Sequence, residues 1–97
     1  MHTFIALLNF TDQGIHSLEN SPHRADMFME VAERAGARVK DVYWTLGTHD
    51  GVLIIEAPDD ETAAAVLLSL AKAGNVRTRT LRAFDWPEFQ SVLDRIS

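Results

Sequence analysis

Val39–Ala57, VKDVYWTLGTHDGVLIIEA, decides the fold. Val39–Leu46 is β-branched and aromatic, as a strand requires. Gly47-Thr48-His49-Asp50-Gly51 follows, with Asp-Gly as the turn signal, and Val52–Ala57 is a second strand, apolar except for Glu56. Two strands joined by so short a turn form an antiparallel hairpin. The hairpin is flanked on both sides by helical spacing. Upstream, Ser21-Pro22 reads as an N-cap with proline in the first turn, Ala25, Phe28, Val31, Ala32 and Ala35 recur at helical intervals, and Gly36 supplies the stop. Downstream, Pro58-Asp59-Asp60-Glu61 places acids at the positive end of a helix dipole. Ala63, Ala64, Val66, Leu67, Leu70 and Ala71 then make a buried stripe that ends at Gly74.

Thr3–Phe10 (TFIALLNF) and Val76–Phe84 (VRTRTLRAF) add one strand towards each end of the sequence. Asp85 with Glu88 three residues on is a capping box, and opens a last helix with Phe89, Val92, Leu93 and Ile96 on one face. The order is strand–helix–strand–strand–helix–strand plus a terminal helix. That is the split βαβ pattern of a ferredoxin-like α+β domain, a four-stranded antiparallel sheet with two helices on one face. Thr11–Asn20 shows no element beyond a helical turn near Ile15–Leu18. A connection of that length exceeds the usual two to six residues, which hints at function.

The chain has 97 residues, enough for one domain spanning 1–97. It is 46% hydrophobic and 24% charged, inside the globular range. With no cysteine there is no disulfide framework, thiolate metal site or thiol catalysis. The net charge of −5 disfavours nucleic acid as a partner. The apolar runs fall far short of the roughly 20 residues a membrane span needs. Met1-His2-Thr3 enters a strand without a basic leader region, so a cytoplasmic location is expected.

The middle strands carry aliphatics on both faces. Ile5 and Leu7 oppose Phe4, Ala6 and Leu8, while Val52 and Ile54 oppose Leu53 and Ile55. Helices cover one face, and the other still presents an apolar patch of the kind that marks an interface. A second copy related by a two-fold axis is the expected cover, so a homodimer or higher homo-oligomer is predicted. The competing reading folds the C-terminal helix over that face.

The segments Asn9–Gly14, Gly47–Asp50, Ile55–Asp59, Gly74–Thr78 and Thr80–Phe84 resemble, in order and spacing, the GYD-domain family of small bacterial proteins. The resemblance runs over nearly the whole chain up to Phe84. It implies a dimeric α+β barrel and no settled activity. The family's Gly-x-Tyr-Asp segment has His49 in place of tyrosine, so any role of the phenol passes to an imidazole or is lost. Related barrels include heme-handling proteins, cofactor-free monooxygenases and decyclising enzymes, an associational guide only.

Six residues stand out as candidate ligand contacts: Asn9, Tyr43, His49, Asp50, Glu56 and Arg82. Taking the first and third strands as parallel neighbours, Asn9 and Glu56 fall together at their carboxyl ends. Arg77 and Thr78 are then the expected partners of Glu56, and the plainer reading of Glu56 is a structural salt bridge. Tyr43 shares a face with Asp41 and Thr45, away from Val42, Trp44 and Leu46, and packing explains it as well as ligand contact does. His49–Asp50 sits at the opposite end from Glu56, within reach of Arg82, and is explained by turn chemistry as well as by proton transfer. His2, His16 and His23 lack metal-ligand spacing, and no phosphate-cradling or nucleophile-elbow motif is present. A small organic ligand bound between the sheet and its cover is the leading functional reading. A cofactor-free or heme-assisted oxidoreductase and a structural or regulatory interaction module are the alternatives. The residues name no cofactor.

Overall fold

A computed structural model describes residues 1–96. Strand β1 (His2–Phe10) leads through a short helix α1 (Asp12–His16) and a 3-10 turn (Leu18–Asn20) into α2 (Ser21–Arg34). Then come β2 (Arg38–Trp44), β3 (Gly51–Ala57), α3 (Asp60–Lys72), β4 (Val76–Ala83) and α4 (Trp86–Leu93). The sheet order is β2-β3-β1-β4 and every neighbouring pair is antiparallel. The fold is ferredoxin-like.

The central strands correct one expectation. β1 and β3 are adjacent but antiparallel, with Thr3 opposite Glu56 and Leu8 opposite Gly51. The crossover through α2 returns the chain parallel to β1 but one strand away. The hairpin then reverses it, so the strand that fills the gap must oppose β1. Asn9 therefore lies beside the hairpin and Glu56 at the other end of the sheet.

Along β3, buried and partly exposed residues alternate without interruption. Leu53, Ile55 and Ala57 face the helices, where they join Phe4, Ala6, Phe28, Ala32, Ala63, Val66 and Leu67 in the core. Ile55 and Val66 are the largest fully buried side chains, and burial of an aliphatic of that size contributes about 1.5–3 kcal/mol. In β2 the register slips between Val39 and Asp41. This bulge at Lys40 lets Val39 and Val42, three apart, both pack on the core. β2 ends two residues earlier than its composition predicts. Thr45 donates its N–H to Asp50 O (2.9 Å) and its hydroxyl to His49 O (2.6 Å), which closes the hairpin and leaves Leu46 fully exposed.

Thr11–Asn20 is more ordered than its composition indicates. The Thr11 hydroxyl caps α1 by accepting the Gly14 N–H (3.2 Å) and donates to Gly74 O (2.5 Å). The Thr11 N–H donates to Asn75 O (3.1 Å), and the Gln13 amide to Ala73 O (2.9 Å). α1 is thus pinned to the α3–β4 connection. Gly36 and Gly74 both adopt positive φ past the ends of α2 and α3, as the sequence predicts.

α4 has the expected capping box: Asp85 accepts the Glu88 N–H (2.9 Å) and Glu88 accepts the Asp85 N–H (3.0 Å). No residue of α4 is buried, and Trp86 is 88% exposed. The helix does not fold over the open sheet face, where Leu81 remains 52% exposed.

Candidate functional site

α2 leans on β2 and α3 on β3 and β4, with little contact between the two helices. The wedge they leave, over the hairpin end of the sheet, is a cleft of about 310 Å³. Its walls are mainly apolar, with Leu8 and Phe10 from β1, Val42 and Trp44 from β2, and Phe28 and Val31 from α2. Few polar groups reach it. Ser21 was expected to cap α2, but it is the first residue of the helix, and the N-cap is Asn20 without a side-chain bond. The buried Ser21 hydroxyl accepts the Trp44 indole N–H (2.9 Å), which fixes the half-exposed ring at the cleft wall. Arg24 also lines the cleft. One terminal nitrogen donates to Ser17 O (2.9 Å) and Ser17 Oγ (3.1 Å), while Nη2 is buried without an acceptor. The charged wall residue contributed by the hairpin is Asp50.

Three of the six sequence candidates come together at the hairpin, and of these Asp50 lines the cleft. Asp50 Oδ2 accepts the Phe10 N–H (2.8 Å), and the Asp50 N–H donates to Leu8 O (2.8 Å), so this residue stitches the hairpin to β1. Asn9 donates its amide to Thr48 O (2.8 Å), and its carbonyl lies 3.1 Å from His49 Nδ1. Because that oxygen can only accept, Nδ1 carries the proton, and Nε2 is left as the free ring nitrogen. The cluster is therefore a positioned imidazole beside the cleft-lining Asp50. Asp50 itself is spent on backbone groups.

The other three lie elsewhere. Glu56 is on the open face, as alternation predicts, but its partner is Arg38 in β2 at 2.6 Å. Arg77 stands opposite Asn9 and Thr78 opposite Leu8, at the other end of the sheet. Register decides this, since Arg38 and Glu56 are cross-strand neighbours. Arg82 does not approach Asp50. It stands opposite Phe4, pairs with Glu88 (3.1 Å), and lies 4.5 Å from the Phe84 ring centroid. The Asp85 N–H, and then Arg82, hold the Glu88 carboxyl below the ordinary glutamate value. Asp59, which caps α3 by accepting the Thr62 N–H (2.8 Å), is lowered by that same bond. Tyr43 borders the cleft, yet alternation turns its side chain to the open face with its cross-strand partner Val52, where it is 56% exposed.

Arg24, Ser21 and the cleft-wall role of Trp44 were not apparent beforehand. One signal was legible: Arg24, Phe28 and Val31 are spaced i, i+4, i+7, which puts the arginine on the inward stripe of α2. Among the described residues no three His, Asp or Glu side chains converge as a metal ion requires, and no helix is long and apolar enough to cross a membrane.

A family model of the GYD domain matches residues 4–93. A curated relative from Thermus thermophilus, the glutamine synthetase and cystathionine beta-lyase binding protein, is 42% identical over 84 residues, covering 86% of this chain and 88% of its own. Among solved structures, the feast or famine regulatory protein of M. tuberculosis, complexed with L-methionine, superposes with a TM-score of 0.68 at 18% identity. That match covers 88% of this chain, which spans about half (51%) of the regulator. The 5-chloro-2-hydroxyhydroquinone dehydrochlorinase of Burkholderia phenoliruptrix AC1100 superposes with a TM-score of 0.61 at 16% identity, over 90% of this chain and 97% of its own. One fold thus carries a regulator and an enzyme, so function has to be argued from the site.

Proposed function

Because this chain belongs to the GYD domain family, we propose that it is a small self-pairing binding domain whose cleft beside Trp44 takes a small organic ligand. The cleft carries this reading. Protein interiors are close-packed, and about 310 Å³ of apolar space between the two crossover helices is at the lower end of the range for small-molecule sites. Binding is favoured over catalysis because the hydroxyl and the carboxylate on the wall have structural tasks: the Ser21 hydroxyl holds Trp44, and the Asp50 carboxylate holds the Phe10 N–H. Self-pairing is supported by the open sheet face, where Ile5, Leu7, Val52 and Ile54 stand in a row with no helix above them and Leu81 is half-exposed. Asp50 lines the hairpin wall and is proposed to border the ligand, whereas Asn9, with His49 beside it, projects from the opposite face of β1 to the cleft-lining Leu8 and Phe10. Glu56 and Arg82 lie away from the cleft, and Tyr43 borders it with its side chain turned to the open face. A thermal-shift screen with small organic compounds tests the reading. Stabilisation by a ligand that also perturbs Trp44 emission is expected, and a library that leaves both unchanged defeats it.

A second reading is favoured by α4, a well-capped helix that presents Trp86, Phe89 and Leu93 to solvent. The Thermus relative is described as binding two metabolic enzymes, and this chain is proposed to dock on an enzyme in the same manner. Pull-down with glutamine synthetase and with cystathionine beta-lyase from the same host checks it. Binding lost on Phe89→Asp is the expected outcome, and no binding to either enzyme counts against it.

A further inference from the structure

We propose that the cleft selects a small, mainly apolar organic carboxylate, with Arg24 as the group that recognises the carboxylate. This rests on reading the cleft as a ligand site and names the ligand's chemical class. A guanidinium stays charged at any physiological pH and brings five donors. Arg24 spends one terminal nitrogen on Ser17, and Nη2 has no acceptor although it is buried. Among the described residues no carboxylate pairs with Arg24, since the ion pairs formed are those of His2 and Arg82 with Glu88, Arg34 with Glu30 and Arg38 with Glu56. A buried charged donor left in this way is destabilising until an acceptor reaches it, and an anionic acceptor is the strongest.

The rest of the wall sets the remainder of the ligand. Phe28, Val31, Leu8, Val42 and the Trp44 ring offer surface for a hydrocarbon or aromatic body and almost no donors for a polar one. The volume of about 310 Å³ suits a single ring or a short branched chain. A single negative charge fits best. One carboxylate neutralises one guanidinium, whereas a phosphate dianion leaves surplus negative charge in an apolar cleft that already carries Asp50. Nη2 is sealed from water, so the carboxylate meets it as the guanidinium turns toward the cleft. Arg24 as a whole is only partly buried and lines the cleft, and the swing is part of the proposal.

Trp44 is a built-in reporter, and the second tryptophan, Trp86, lies on α4 outside the cleft. In a Trp86→Phe background, Trp44 emission is titrated with 3-phenylpropanoate and with its primary amide. Saturable quenching by the acid is expected, with the amide at least about tenfold weaker. Arg24→Met should lower the acid to the level of the amide and leave the amide unchanged, with Arg24→Lys between. Equal affinity for acid and amide overturns the carboxylate assignment while the cleft reading stands. No saturable change with either compound up to about 10 mM overturns both. Where Arg24→Met does not fold, nuclear magnetic resonance of the parent chain decides: the Arg24 Nε–H resonance must move with the acid and not with the amide.

Discussion

Asn9 and His49, forty residues apart, are clipped together: the Asn9 carbonyl lies 3.1 Å from His49 Nδ1 while its amide donates to Thr48 O at 2.8 Å. One side chain on β1 thus holds the tip of the β2–β3 hairpin through two hydrogen bonds. Asn9→Ala removes both and is expected to destabilise the chain by about 1–2 kcal/mol in urea unfolding. The amide protons of Thr48–Asp50 should exchange faster with solvent, whereas those of β3 should not change.

Gly14 allows α1 to lie against the α3–β4 connection. A Cβ at this position would press into the Asn75 backbone carbonyl and crowd the Phe10 ring. Gly14→Ala is therefore expected to destabilise by about 1–3 kcal/mol despite the better helix propensity of alanine. If calorimetry shows the variant as stable as its parent, the close docking of α1 is wrong.

The open sheet face carries the prediction of self-association. Ile54 stands near its middle, between Asp41 on β2 and Ile5 on β1. Ile54→Glu places a carboxylate in the apolar patch without touching the core on the other side of β3. Sedimentation should find the parent chain as a dimer or larger at micromolar concentration and the variant as a monomer with an unaltered far-ultraviolet spectrum. A monomeric parent would sink the pairing scheme.

Acid should loosen α4. The Glu88 carboxyl is held below its ordinary value of 4.5 by the Asp85 N–H and by Arg82, so the folded state binds this proton less readily than the unfolded chain. Stability from Glu88 is therefore fully present above the ordinary glutamate value, and it is lost as the pH falls through the depressed one. Trp86 emission followed from pH 6 down to about pH 2.5 should report the release of the helix start, and Glu88→Gln should flatten that transition. Asp59 is also held below its ordinary value by its bond to the Thr62 N–H, so a residual loss of stability on acidification is expected in the variant.

Local chemistry made most of the architecture legible. The strand period of 2 grouped Leu53, Ile55 and Ala57 on one face of β3 and Val52, Ile54 and Glu56 on the other, and the Asp85–Glu88 box and the glycines after α2 and α3 marked helix ends, because each depends on residues within a few positions of one another. Where composition misled, a distant contact was responsible. Thr11–Asn20 reads as a loop, but Thr11 and Gln13 find acceptors on Ala73, Gly74 and Asn75, some sixty residues away, and become ordered. Ser21 reads as a cap, but its hydroxyl serves Trp44.

The order of elements, the sets of residues that share a face of each strand and the presence of aliphatics on both faces were all determined by the sequence. Such features follow from periods of 2 and 3.6 that every residue obeys on its own element. Which strand ends meet was decided only by the tertiary structure. Reversal at the hairpin set β3 against β1, separated Glu56 from Asn9, and gave Glu56 to Arg38, while the turn from β4 into α4 gave Arg82 to Glu88. The cleft and the lone nitrogen of Arg24 belong to that second class, because a gap between two helices depends on how both rest on the sheet, and no single segment encodes it.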